Sequence, residues 1–532
     1  MLLTDVIVLW IALILTWALV NRGVPIFQEL IRDMTDFFME KALGPGADLF
    51  EGRSGSGAIS WMFHGMLWLC LGATFTFVGM WLGHEPDAIA SLSGIGYTPS
   101  VAELSAAATL ASEGGIMMLL LGAGLHINGR LSGSGLASDT NAVLVSYAYS
   151  TGLLLGFIGA HVGGDWSNYL ETANGVLTTM AVVAIIANHL LTIGQRTNMA
   201  IQPSQWLIIF GLSVPMVMCV ACMIVGIDEA VYETFGVIPM LASALAVAHY
   251  VVPSEAGVPL WSRTLAGATV FLTFVTLSPI GVTAADSDLS VGSAGLMSIM
   301  FAASMVPILA VGMNIFSTAR SNWAAASSSP ACTMVMIGTF MLVASAVGSL
   351  FVGSDAHSSG ELIHMQGPMD TLFLWGAMGM IAMGGVTACF PAAANRSLHS
   401  ESSSRTVLWM FGGGATLAFL FSMSASMTTA AMVEAVSVNE LDLLDMSATD
   451  DLTVLASIAF YAVTIAAMMM MLNMIRGGFS GTPLATASPT GLSATRMALT
   501  PGTTTIRQLL AAGAGIDTEI DVISDSEGDE EE

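Results

Sequence analysis

His64, Glu113, His126, His161, His189, Glu233 and His249 fall inside long apolar stretches of this sequence, and Asp370 sits at the edge of another. Imidazoles and carboxylates are costly to place in such surroundings, so each is a candidate for ligation, proton transfer or a buried pairing. Two facing imidazoles could hold a haem iron, since neutral imidazole is a good axial ligand. Glu113, Glu233 and Asp370 could instead form a proton or cation path. No H-x-x-x-H, H-E-x-x-H, phosphate-loop or G-x-S-x-G pattern accompanies them, so spacing alone selects none of these chemistries. Cys219 and Cys222 lie one helical turn apart in LIIFGLSVPMVMCVACMIVG, without a second cysteine pair. They read as small packing residues, and with all five cysteines in apolar runs there is no disulfide framework.

The elements that must position these groups are membrane spans. Of the 532 residues 54% are hydrophobic and only 10% charged, against about 25% charged in ordinary soluble domains. Mean hydropathy is +0.76. A bilayer core needs about 20 apolar residues per helix. Thirteen such runs occur, at 2–20, 58–82, 105–127, 142–164, 174–194, 205–226, 231–252, 264–283, 293–315, 331–352, 371–392, 407–429 and 453–475. The first follows MLLTD, with neither a basic start nor a small-residue cleavage site, and reads as a retained anchor.

The charges test that count. Arg22, Arg32, Lys41, Arg53, Arg130, Arg196, Arg263, Arg320, Arg396, Arg405, Arg476, Arg496 and Arg507 all fall in alternate connections or in the tail. The intervening connections carry only acidic charges, such as Glu85, Asp87, Asp165, Asp228, Asp286, Asp355 and Asp451. Basic loops stay cytoplasmic, so the sequence predicts a multi-pass protein of the plasma membrane with its N-terminus outside and its C-terminus inside. The net charge of -26 argues against nucleic acid as a partner. The predicted organisation is an anchor over 1–22, an interfacial amphipathic helix and loop over 23–57, a twelve-helix membrane domain over 58–476, and a disordered acidic tail over 477–532.

One stretch, AHYVVPSEAGVPLWSRTLAGATVFLTFVTLSPIGV (Ala248 to Val282), resembles the sixth-to-seventh helix hairpin of haem–copper oxygen reductase (cytochrome c oxidase) subunit I. In that family an aromatic-rich helix end runs into a proline, a short basic loop and a helix closing in Thr/Ser-Pro-x-Gly. Val306 and Pro307 match the family's Val-Pro pair in the next helix, and AMGGVTACFPAAANR (Ala382 to Arg396) is similar to the end of its tenth helix. Without the anchor, twelve helices remain, the family's number, each with the expected direction. The likeness is clearest over roughly residues 232–396. It implies an all-α fold: about thirteen transmembrane helices, a twelve-helix oxidase subunit I-like bundle plus one N-terminal helix.

The same resemblance exposes departures. Where the family holds copper with a histidine in helix six cross-linked to a tyrosine, this chain has Thr234 and Ile238. Where a His-His pair follows helix seven, it has Thr283 and Ala284. Where a His-x-His ligates the two haems, it has Met369, Asp370 and Thr371, and Glu113 replaces the helix-two histidine. His64 lies at the wrong end of its span to take that role. Hydroxyls, methyls and one thioether cannot replace a set of imidazoles around copper and two irons. The sequence therefore predicts no cofactor and no catalytic residues in a degenerate member of the superfamily, a structural or accessory subunit among other membrane subunits of a respiratory electron-transport complex. Two other readings stay open: a haem-binding quinol or cytochrome oxidoreductase using His126, His189 or His249 as unconventional ligands, and a proton or cation transporter.

Overall fold

The computed structural model of the chain describes residues 2–23, 29, 32–33, 54–95, 97–198, 200–225, 229–277, 299, 302–356, 364–439 and 447–484. Every apolar run becomes or overlaps a helix. In chain order these are α1 (Leu2–Ala18), α2 (Ser56–His84), α3 (Val101–Ser132), α4 (Asp139–Gly159), α5 (Asp165–Gly194), α6 (Pro203–Val225), α7 (Glu229–Ala256), α8 (Arg263–Leu277), α9 (Met305–Ser321), α10 (Pro330–Ala356), α11 (Gln366–Ala394), α12 (Glu401–Asn439) and α13 (Ser447–Ser480). Among the described residues, nine helices are long and apolar enough to cross a membrane; Ile7–Asn21 and Pro203–Met218 are shorter apolar helices. The ninth run is helical at 299 and 302–303 and continues as α9. Of the amphipathic segment 24–42, positions 29, 32 and 33 are helical and the rest lies outside the described residues.

The helices are apolar nearly all round, as lipid-facing helices must be. Ile14, Trp17, Phe340, Phe351 and Trp409 remain exposed on the outside, an arrangement that suits hydrocarbon and would be a liability in water. α3, α7 and α11 form the centre, with 72%, 83% and 78% of their most apolar windows buried. Close approach at the centre depends on small residues. A methyl group added at Gly65 of α2 would lie 2.7 Å from the Leu119 backbone nitrogen and 2.9 Å from the Gly115 carbonyl oxygen of α3. The two backbones pass almost in contact there.

The connections sort into two ends. At the arginine-bearing end Ser132, after Arg130, accepts at its carbonyl from the Thr197 N–H at 2.9 Å, and Asn473, near Arg476, holds the Ser400 N–H at 2.9 Å. At the acidic end the His84 ring meets the Asp450 carboxylate at 2.9 Å, joining α2 to α13. The sequence boundary between membrane domain and tail falls at 477, whereas the described structure continues further. α13 runs to Ser480, Arg396 and Pro483 form a backbone bridge, and the Leu484 N–H donates to the Asn395 carbonyl at 3.0 Å. The polar 477–484 stretch is thus paired with the loop after α11, a long-range pairing that composition does not reveal. Residues 485–532 lie outside the described residues.

The glycine crossing makes a test. Gly65→Val should destabilise the bundle by about 1–3 kcal/mol through overpacking, read as a lower Tm in detergent. Gly413→Ala, where an added methyl meets nothing within 4 Å, should leave Tm unchanged.

Candidate functional site

Three places contain the singled-out residues. The first is the acidic-end half of α3 and α11. Ala102, Ser105, Ala106, Thr109 and Glu113 are exposed along one stripe of α3, and α3 is buried continuously from Gly114 to Leu125. Glu113 is therefore the last exposed position of that stripe before the buried stretch. Asp370 of α11, also exposed, lies near enough to act electrostatically on Glu113. One carboxylate, Glu113, thus stands where the resemblance places a haem-ligating histidine, and Asp370 takes the intervening position of the His-x-His.

The neighbouring positions are committed to packing. Met369 is 7% exposed, and its thioether sits against Gly348 of α10 with no room for a methyl between. The Thr371 hydroxyl donates to the Gly367 carbonyl of its own helix at 3.0 Å. Ile238 is 1% exposed in α7. Thr234 lies in α7, while Thr283 and Ala284 lie outside the described residues. From Leu372 to Gly379 α11 widens into a π-helix. There Trp375 packs edge-on against Phe460 at 4.9 Å between ring centres and tilted against Phe411 at 6.3 Å. Among the described residues no three or more His, Cys, Asp or Glu side chains are grouped to hold a metal ion. An aliphatic side chain, a wedged thioether and a self-satisfied hydroxyl do not fit a copper centre or paired haem irons.

The second place is a buried polar network at the arginine-bearing end. The Asn128 amide of α3 donates to His189 Nδ1 at 2.9 Å and to the His189 carbonyl at 3.2 Å. Gln205 of α6 donates to the Asn128 carbonyl oxygen at 2.9 Å and to the Ser132 hydroxyl at 3.0 Å. Because Nδ1 accepts, His189 carries its proton on Nε2, which is buried without a partner. Nearby, Asn188 donates to the Ser138 carbonyl at 2.7 Å, and Arg263 donates to Gln202 at 2.6 Å.

His249, fully buried in α7, stands apart. Its Nδ1–H donates to the Leu245 carbonyl at 2.8 Å, leaving Nε2 a bare, unpartnered acceptor. His126, half-buried on α3, lines the third place, a cavity of about 130 Å³ beside Arg130 and Asp139. The other histidines are accounted for locally. His64 packs edge-on against Tyr147 at 4.6 Å between ring centres. His161 donates from Nδ1 to the Phe157 carbonyl at 2.9 Å and accepts the Tyr97 hydroxyl on Nε2 at 3.1 Å. Sequence reasoning used Arg130 only as a topological marker, and it missed Asn128, Gln205 and Asp139. Their signal was weak: uncharged amides near span ends, and one acid among arginines.

No family model matches the sequence, and no curated protein matches it. Solved structures do match. One is described as a cryo-EM structure of a heme-copper terminal oxidase dimer that provides insights into its catalytic mechanism; it superposes with a TM-score of 0.63 at 10% identity, covering 86% of this chain and 98% of that one. The fold is of the haem–copper oxidase type. At this identity the likeness concerns the path of the backbone, and the side chains described above decide the chemistry.

The polar network should be measurable by substitution. Asn128→Leu strands His189 Nδ1 and the Gln205 amide, so it should cost about 1–3 kcal/mol, seen as a lower Tm. His249→Leu removes a nitrogen that already lacks a partner and should cost less.

Proposed function

We propose that this chain is an oxidase-fold membrane protein without a haem–copper centre, serving as a structural or accessory subunit of a respiratory membrane complex in the plasma membrane. The observation that carries this reading is the side-chain set at the ligand positions. Ile238 is buried aliphatic surface, Met369 is wedged on Gly348, Thr371 is bonded to its own helix, and Glu113 is a carboxylate within electrostatic reach of Asp370. None supplies the neutral imidazole that haem iron and copper take in this fold. Supporting partners would be other membrane subunits, which suits the exposed apolar exterior. On this reading the N-terminus is outside, the arginine-bearing end faces the cytoplasm and the acidic tail follows it there.

One observation favours a second reading. His249 donates from Nδ1 to a carbonyl and leaves Nε2 bare, the orientation that metal-ligating histidines commonly adopt. A haem held through His249 would make the protein an electron carrier between quinol or a cytochrome and another redox partner.

Absorption spectroscopy with metal analysis separates the two. The purified full-length protein should show no Soret band and neither iron nor copper in stoichiometric amount. A Soret band that disappears in His249→Leu establishes the second reading and overturns the first.

A further inference from the structure

The cavity beside Arg130 is separate from the oxidase-like ligand positions and is not explained by them. Its walls come from the start of α2 (Ser54, Gly55, Ala58), the last turns of α3 (Leu125, His126, Gly129, Arg130), the following loop and Asp139 of α4, and the end of α11 (Ala392, Ala393, Asn395). At about 130 Å³ it has room for about four waters at ~30 Å³ each, or one five-atom oxyanion.

Its charge is unbalanced. The Arg130 guanidinium lies close enough to Tyr250 to act on its hydroxyl, and its Nε is buried without a hydrogen-bond partner. Among the described residues the ion pairs are His84 with Asp450 and Arg405 with Glu401, so Arg130 has no carboxylate at contact distance. The one acid in the wall, Asp139, is already occupied. Its Oδ1 accepts the Gly55 and Gly57 N–H groups at 3.2 and 3.0 Å, capping the start of α2, and it lies in the first turn of α4. Two helix N-termini therefore offset its charge. A guanidinium with no carboxylate partner, lining a polar cavity, is the arrangement that takes a planar or tetrahedral oxyanion.

We propose that this cavity binds a phosphate group, with Arg130 as its main donor and His126 and Asn395 as flanking polar contacts. The group belongs either to a phospholipid entering from the bilayer or to a free phosphate from the aqueous side. Both sources present the same oxygens to the same guanidinium.

The test uses the full-length protein in detergent, titrated separately with dioleoylphosphatidylglycerol, dioleoylglycerol, inorganic phosphate and sodium chloride, with Tm as readout. Two variants accompany it: Arg130→Gln, which removes the donor, and Ala392→Leu, which fills the cavity without changing charge. Dioleoylphosphatidylglycerol should raise Tm saturably, and dioleoylglycerol and chloride should not. Each folded variant should need about ten-fold more lipid or greater, as expected for the loss of one charge-assisted hydrogen bond. A saturable rise with inorganic phosphate, weakened by the same variants, assigns the site to the free anion. The proposal is overturned if neither phosphate source shifts Tm, if dioleoylglycerol matches the phospholipid, or if a folded variant responds as the parent does.

Discussion

Inside hydrocarbon a peptide N–H or C=O has no water to turn to, and an unmet group costs several kcal/mol. Helices solve this along their length and fail at their ends. In this chain asparagine side chains supply much of the remedy. Asn188 reaches the Ser138 carbonyl, Asn314 both accepts from the Ser262 N–H and donates to its carbonyl, Asn322 reaches the Ala256 carbonyl, and Asn473 grips Ser400 from both sides. Asn188, Asn314 and Asn473 each belong to one helix and satisfy the turn beside another, while Asn322, in the turn after α9, reaches the last residue of α7. The connections at Ser138, Ala256, Ser262 and Ser400 are thereby fixed to the bundle.

The interior is organised by contact between small residues and by large side chains filling what remains. Gly65 and Gly115 let α2 and α3 touch along their backbones, while Trp61, Phe411 and Phe460 are fully enclosed. Methionine serves the same end: Met118, Met378, Met380 and Met383 are all buried without exposure, and a flexible thioether conforms to irregular space. Related backbones need not share what they enclose. In this one Met369 is tied into packing by Gly348, and Thr371 by the turn at Gly367.

Hydropathy and charge made the helices legible, because each is a local property summed over twenty residues. The alternation of arginine-bearing and acidic connections is local in the same way, and it sorts the connections into two ends. What stayed hidden depends on residues far apart in sequence. Asp139 gives no local sign that it caps a helix starting 83 positions earlier at Ser56, and Asn128 does not announce His189 or Gln205. The stretch from Gly477 to Leu484 looks like tail by composition, yet it pairs with the loop beginning at Asn395. Within the candidate site, the residue types at Ile238, Met369 and Thr371 were readable in advance, but the electrostatic nearness of Glu113 and Asp370 required the helices to be assembled.

The widened turn of α11 has a consequence for divergence. A π-helical stretch has more residues per turn than an α-helix, the mark of a residue accommodated within a helix without breaking it. Each such residue swings the preceding segment by about 100° about the axis. Leu372–Gly379 therefore works as a swivel: upstream of it, Gln366–Thr371 can exchange side chains and change the direction they point, while Met380–Ala394 stays locked against its neighbours. A lineage could rewrite one half of such a rod and leave the other half's register untouched.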